Sequence, residues 1–234
     1  MKIRCIHLDM KSMFPRIDFF LGMLKDISDM GYTHVLIELE DKFPYEKYPD
    51  AVSKTAYSKD DFRRVAAACR ELGLSVIPLL QCIGHLEYFM KAPAYRKWSE
   101  NGSIFQFCLS QNETLLVWEN MVEEILDVFP DSEYFHIGAD EVRFNNPCPL
   151  CADKDQFKLY VQRVNECVDF MHSKGRQPLL WDDIFRNHPL AESGDLLQKA
   201  IPCVWQYFTI NKDIIRKYAD AGIRYWATSR IQSG

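Results

Sequence analysis

No apolar run in this sequence approaches the roughly 20 residues that a membrane-spanning helix needs. The opening stretch MKIRCIHLDM is interrupted by Arg4, His7 and Asp9, too short and polar for a signal-peptide core, and reads as a first strand. Positive charge is scarce too: 28 Lys and Arg against 33 Asp and Glu leave a net charge of -5. Neither nucleic acid nor an anionic membrane is an expected partner for such a surface. Low-complexity linkers and composition breaks are absent, so residues 1–234 read as one domain. What remains, 47% hydrophobic and 26% charged, is enough for a globular core. No heptad or extended apolar patch signals an obligate partner, and the oligomeric state stays open.

A disulfide framework is also missing. Of the 8 cysteines, Cys5, Cys69, Cys82, Cys167 and Cys203 sit within apolar patterns, where a free thiol acts as a small hydrophobe. With no export signal, a reducing cytoplasmic location is expected. Cys148-Pro-Leu-Cys151 is the suggestive spacing. A structural zinc needs four ligands, and no second close pair supplies the others, so no metal or cofactor is expected. The loop reads as a turn held by Pro147 and Pro149, with a metal knuckle as the alternative.

Short β-rich runs alternate with amphipathic segments, the pattern of a parallel sheet with crossover helices. Strands are expected at 3–9, 34–40, 75–81, 134–140, 177–183, 203–207 and 224–228. Helices are expected at 17–30, 59–72 (capped by Ser58), 113–128, 155–173 and 213–221, with 195–200 a single turn. A doubly wound sheet lacks its glycine fingerprint after the first strand. Acids and aromatics instead stand at the C-terminal ends of nearly every strand, as in a (β/α)8 TIM barrel. The expected fold is α/β, such a barrel truncated after about the seventh strand.

The segment running from Tyr134 to Val142 (YFHIGADEV) carries the most chemistry. Strand alternation puts His136, Gly138 and Asp140 on one side, and Phe135, Ile137 and Ala139 on the other. An inward His and Asp are costly to bury without purpose. Glu141 reaches the same pocket if the strand ends at Asp140 and the chain turns. Adjacent carboxyls repel, so one is expected to keep its proton to higher pH, the state needed to protonate a departing sugar oxygen. His85 and Glu87 follow the third strand, Trp181 and Asp183 end the fifth, Trp205 and Tyr207 the sixth, and Trp226 lies in the seventh. Aromatic faces at strand ends suit the C–H faces of a sugar, although any one Trp alone reads as core. Asp9, Glu38, Glu40 and Asp41 could accept hydrogen bonds from sugar hydroxyls or stand solvated.

His136-Ile-Gly-Ala-Asp-Glu141 resembles the signature of glycoside hydrolase family 20, the β-N-acetylhexosaminidases, and specifically its intracellular branch. The likeness extends in order through His7-Leu-Asp-Met-Lys11, Glu38-Leu-Glu-Asp-Lys-Phe-Pro-Tyr-Glu46, Gly84-His-Leu-Glu87, Leu180-Trp-Asp-Asp183 and Trp226-Ala-Thr-Ser229. It implies a (β/α)8 barrel and a substrate-assisted retaining mechanism on terminal N-acetylglucosamine or N-acetylgalactosamine of a glycan or glycoconjugate. By this resemblance Glu141 is the general acid and base, and Asp140 orients the 2-acetamido group. Trp181 and Trp205 wall the acetamido pocket, and Tyr207 donates to the acetamido oxygen. Two departures stand beside it. Lys11 and Arg16 are the nearest candidates for an arginine that relatives place after the first strand, and the region after Ser229 lacks the family's final strand and its tryptophan.

Two rival readings stay open. One is a catalytically inactive carbohydrate-binding barrel fragment. The other is a metal-dependent hydrolase using His85, His136, Asp140 and Glu141.

Overall fold

The structure, a computed structural model, describes residues 3–11, 14–207 and 212–229. Seven strands, β1 (Cys5–Asp9), β2 (His34–Glu38), β3 (Ser75–Leu79), β4 (Tyr134–His136), β5 (Gln177–Trp181), β6 (Ile201–Gln206) and β7 (Trp226–Ser229), form one sheet in sequence order. Every neighbouring pair is parallel. Helices α1 (Ile17–Asp29), α2 (Lys59–Glu71), α3 (Glu87–Met90), α4 (Asn112–Val128), α5 (Gln156–Ser173), α6 (Leu196–Lys199) and α7 (Lys212–Asp220) complete the βα alternation. The chain is thus a TIM-barrel fold carrying seven strands, and β1 and β7 are its two sheet edges among the described residues. Residues 230–234, with which the sequence reading ended, lie outside the described residues.

Two apolar layers follow from strand parity. Phe135, Ile137, Val35 and Ile37 face outward into the main core against the helices. Leu36, Ile77, Leu79, Tyr134, Leu179, Trp181, Ile201 and Cys203 form a separate inner cluster. The registers Leu36↔Ile77, Leu79↔His136, His136↔Leu179 and Trp181↔Cys203 align these inward positions across the sheet. Burying both faces explains the near-continuous apolar strands.

Local signals set the helix ends. Ser58 Oγ accepts the Asp61 N–H at 3.0 Å while Asp61 Oδ2 accepts the Ser58 N–H at 3.2 Å, a reciprocal cap that starts α2. Asp155 is the cap of α5 rather than its first residue, its carboxylate accepting the Lys158 N–H at 3.1 Å. Strands β2 to β6 end earlier than expected, β4 at His136 rather than Asp140. Positive φ at Glu40 (41°), Gly138 (70°) and Ala139 (73°) turns the chain out of the sheet at the rim. The short helix α3 and the 3₁₀ segment Pro93–Trp98 had no periodic signal long enough to be read. Among the described residues, no helix is long and apolar enough to cross a membrane.

Candidate active site

The turn after β4 carries the adjacent acids. Ile137 and Gly138 still exchange backbone bonds with neighbouring strands, Ile137 N–H to the Leu179 carbonyl at 2.8 Å and Trp181 N–H to the Gly138 carbonyl at 2.9 Å. Beyond them Ala139 and Glu141 adopt left-handed φ values of 73° and 52°, unusual for residues with a Cβ. A side chain at Gly138 would overlap the Gln81 amide, so only glycine admits Gln81 there. Asp140 is therefore a turn residue, not the last inward strand residue.

Partners from three places in the chain, the segment after β3, α5 and the end of β5, hold this turn. Gln81 Oε1 accepts the Ala139 N–H at 3.2 Å, and Gln81 Nε2 donates to Asp140 Oδ1 at 3.0 Å. Tyr160 of α5 donates its hydroxyl to the Ala139 carbonyl at 2.9 Å. Asp183 Oδ2 accepts the Glu141 N–H at 2.9 Å, and Asp183 Oδ1 accepts the Trp205 indole N–H at 3.4 Å. His85, itself at φ 54°, puts Nε2 3.4 Å from both Asp140 Oδ2 and Glu141 Oε2. Burial lowers the His85 pKa, but the bond and charge of Asp140 outweigh it and the net shift is upward. The two acids differ in access: the Asp140 side chain is 14% exposed and that of Glu141 49%.

Beneath the turn, His136 is fully buried, its ring 4.2 Å from that of Trp181. Its Nδ1 accepts the Gly138 N–H at 3.0 Å, which requires the neutral tautomer protonated on Nε2. Burial first, and the charge of His7 second, push its pKa down to about 3. His136 supports the turn from below, its Nδ1 committed to the Gly138 backbone N–H. Among the described residues, His85, His136, Asp140 and Glu141 do not gather their donor atoms as a metal group would, which argues against the metal-hydrolase reading.

An ionic cluster lines the β1–β2 side. Lys11 Nζ lies 3.0 Å from Glu38 Oε1, 3.2 Å from Glu40 Oε1 and 3.6 Å from Asp9 Oδ2, while His7 Nε2 meets Glu38 Oε2 at 3.0 Å. Burial pushes the Glu38 carboxyl up, but the His7 bond and the Lys11 charge prevail and hold it at about 2. Glu40 goes the other way: burial raises it to about 8, against the opposing pull of Lys11. Asp183 is raised to about 6, by burial and then by the charge of Asp140.

Most of the expected residues converge at this rim: Asp9, Glu38, His85, His136, Asp140, Glu141, Trp181, Asp183 and Trp205. Tyr207 stands exposed just past β6, its ring 5.0 Å from that of Trp205. Glu87 opens α3 exposed to solvent, with no side-chain hydrogen bond or ion pair to the other site residues among those described. Trp226 is a correction: it begins β7, pairs with Cys203 and packs on Tyr134 at 5.1 Å, so it belongs to the inner core below the rim. Gln81 is the partner that sequence reasoning missed, and Lys11, named there as a candidate for the family's arginine, sits at the centre of the β1–β2 ionic cluster. Gln81 ends an apolar run one residue before the Cys82-Ile-Gly-His85 stretch, and that position was its only signal. A cavity of about 510 Å³ lined by Val142, Phe144, Asp183, Arg186 and Gln206 lies beside the acids, sharing Asp183 with them.

Comparison with known proteins agrees with this geometry. The glycosyl hydrolase family 20 catalytic domain matches residues 32–230. Human Hexosaminidase D is 29% identical over 258 aligned residues, covering 99% of this chain and 51% of the relative. The crystal structure of a β-N-acetylhexosaminidase from Bacteroides fragilis superposes with a TM-score of 0.81 at 18% identity, over 97% of this chain and 50% of that one. An exo-β-N-acetylglucosaminidase from Vibrio harveyi, solved with N-acetylglucosamine, superposes at 0.79 with 16% identity, over 96% and 40% of the two chains. The chain thus spans about half the length of the human relative and of the Bacteroides structure. With the ordered motifs at the strand ends and a domain match over most of its length, the chain belongs to glycosyl hydrolase family 20.

Proposed function

We propose that this chain is a retaining exo-β-N-acetylhexosaminidase acting on terminal N-acetylglucosamine or N-acetylgalactosamine of a glycan or glycoconjugate. The observation that carries the reading is the separation of the adjacent acids. Asp140 is the more buried of the two and its side chain is tied to Gln81, whereas Glu141 is exposed with its backbone tied to Asp183. Asp140 is suited to accept an acetamido N–H and align the carbonyl oxygen on the anomeric carbon. Glu141 is suited to protonate the departing oxygen and then to take the proton of the attacking water. The substrate's own carbonyl forms the bond to C1 as the leaving group departs, and water then opens the oxazolinium with net retention, outside the two-carboxylate scheme. Trp181 and Trp205 wall the acetamido methyl, Tyr207 donates to its oxygen, and the Lys11 cluster meets sugar hydroxyls. A reducing cytoplasmic location fits eight free cysteines.

The aromatic rings at the rim, Trp205 and Tyr207 with centroids 5.0 Å apart, equally suit one second reading, a sugar-binding barrel without turnover. An aryl N-acetyl-β-glucosaminide distinguishes them. Release of the aryl alcohol, lost in Glu141→Gln, supports the hydrolase. Saturable binding without release at any pH establishes the other.

A further inference from the structure

Folding brings two further side chains to Cys148 and Cys151. Cys108 and Glu100 come from the segment between β3 and α4, and the Cys148-Cys151 turn lies between β4 and α5. Cys108 Sγ stands 3.5 Å from Cys148 Sγ and 3.6 Å from Cys151 Sγ, and Cys151 Sγ is 3.4 Å from Glu100 Oε2. The four donor atoms all lie within 4.8 Å of one another. All four residues are buried, with exposures of 5% for Glu100, 0% for Cys108, 7% for Cys148 and 0% for Cys151.

Thiols alone account poorly for this meeting. A neutral S–H is a weak donor, and three of them do not compensate a buried carboxylate. No Lys, Arg or His forms an ion pair with Glu100 among the described residues; its carboxylate accepts the Cys148 backbone N–H and faces the Cys151 thiol. A tetrahedral zinc with Zn–S of 2.3 Å and Zn–O of 2.0 Å sets ligand edges of about 3.8 Å for S···S and about 3.5 Å for S···O. The Cys108–Cys148, Cys108–Cys151 and Cys151–Glu100 separations of 3.5, 3.6 and 3.4 Å match those edges within a few tenths of an ångström, and the remaining pairs lie within 4.8 Å. The thiolates rule against calcium and magnesium, which take oxygen ligands.

We propose that Glu100, Cys108, Cys148 and Cys151 form a structural zinc site that staples two rim loops together. On binding, three thiol protons leave to solvent and three S–Zn bonds and one O–Zn bond form, with no change in oxidation state. The staple bears on the active site through the same loops. Gln106 Oε1 accepts the Arg143 N–H at 2.8 Å and its Nε2 donates to the Arg143 carbonyl at 3.0 Å. The Arg143 guanidinium lies 4.0 Å from the centre of the Phe105 ring, which in turn lies 4.9 Å from the His85 ring. Zinc therefore positions the backing of His85 and takes no part in bond cleavage.

The test is elemental analysis of the untagged full chain, purified under reducing conditions and reconstituted with zinc alone. About one zinc per chain is expected, falling about tenfold in Cys148→Ser and in Glu100→Ala. Because those variants can misfold, the parent chain is also loaded with cobalt(II), for which thiolate charge-transfer bands and intense visible bands of a tetrahedral centre are expected. A folded parent chain that retains under about a tenth of an equivalent of zinc overturns the proposal. So does a disulfide between any two of the three cysteines in peptide mapping, or a cobalt spectrum without thiolate bands.

Discussion

The Asp183 carboxylate accepts the backbone N–H of Glu141 at 2.9 Å, tying the turn after β4 to the end of β5. Glu141 sits at a left-handed φ of 52°, a conformation that costs a non-glycine residue roughly 1 kcal/mol, and this bond helps hold it there. Asp183→Ala is expected to lower kcat on an aryl N-acetyl-β-glucosaminide by about tenfold to a hundredfold with little change in KM, since an acid mispositioned by about 1 Å loses that much. Asp183→Asn keeps an oxygen acceptor and should recover most of the rate. Steady-state kinetics decide; an unaltered kcat in the alanine variant means that Glu141 is positioned by other contacts.

Asp183 and His136 should give the stability curve opposite slopes. The folded chain holds the Asp183 proton up to about pH 6, against 3.8 ordinarily. Its contribution is complete below pH 3.8 and is lost as pH rises through 6, roughly 2–3 kcal/mol across the window. His136 is neutral when folded down to about pH 3, against 6.5 ordinarily, so its contribution is complete above pH 6.5 and is lost as pH falls toward 3. Urea midpoints from pH 4 to 7 should separate them. Asp183→Asn removes the fall with rising pH, and His136→Gln removes the fall with acid. Profiles parallel to the parent in both variants would refute the assignment.

Gly138→Ala is expected to destabilise the fold by about 2 kcal/mol or more, because it strains a positive φ and overpacks a buried amide. Displacing Gln81 also frees Asp140, so activity should fall beyond what the lost stability explains. Thermal melting and kinetics well below the transition test both halves. A variant as stable and active as the parent would show that Gln81 can move aside.

Asp140→Asn should cut turnover by about a hundredfold while leaving the melting temperature within a few degrees, since it alters orientation of the reacting group while the isosteric amide keeps an oxygen acceptor for Gln81. Aryl β-glucosides without the N-acetyl group should be hydrolysed far more slowly than their N-acetyl counterparts by the parent chain. Equal rates on the two substrates would remove the internal nucleophile from the mechanism.

Strand periodicity made the architecture legible: residues such as Val35, Ile37, Phe135 and Ile137 declare an outer face, and His136 an inner one. The Asp140-Glu141 pair, His85, Trp181, Asp183 and Trp205 were legible because barrel chemistry concentrates at strand ends. Trp226 was rightly read within the seventh strand but grouped with the strand-end aromatics; the β6–β7 register sets it against Tyr134 instead. Gln81 was missed because an amide carries no chemical signature until its partners are known.

The sequence by itself determined which residues face inward and which segments alternate, because those are properties of near neighbours along the chain. Tertiary structure decided what meets across it. It separated Asp140 from Glu141 through backbone conformations stabilised by Gln81, Tyr160 and Asp183, and it added Cys108 and Glu100 to the Cys148-Cys151 turn. Such pairings span 21 to 58 residues of chain, and only the side-by-side assembly of the parallel strands and their helices brings the partners within bonding distance.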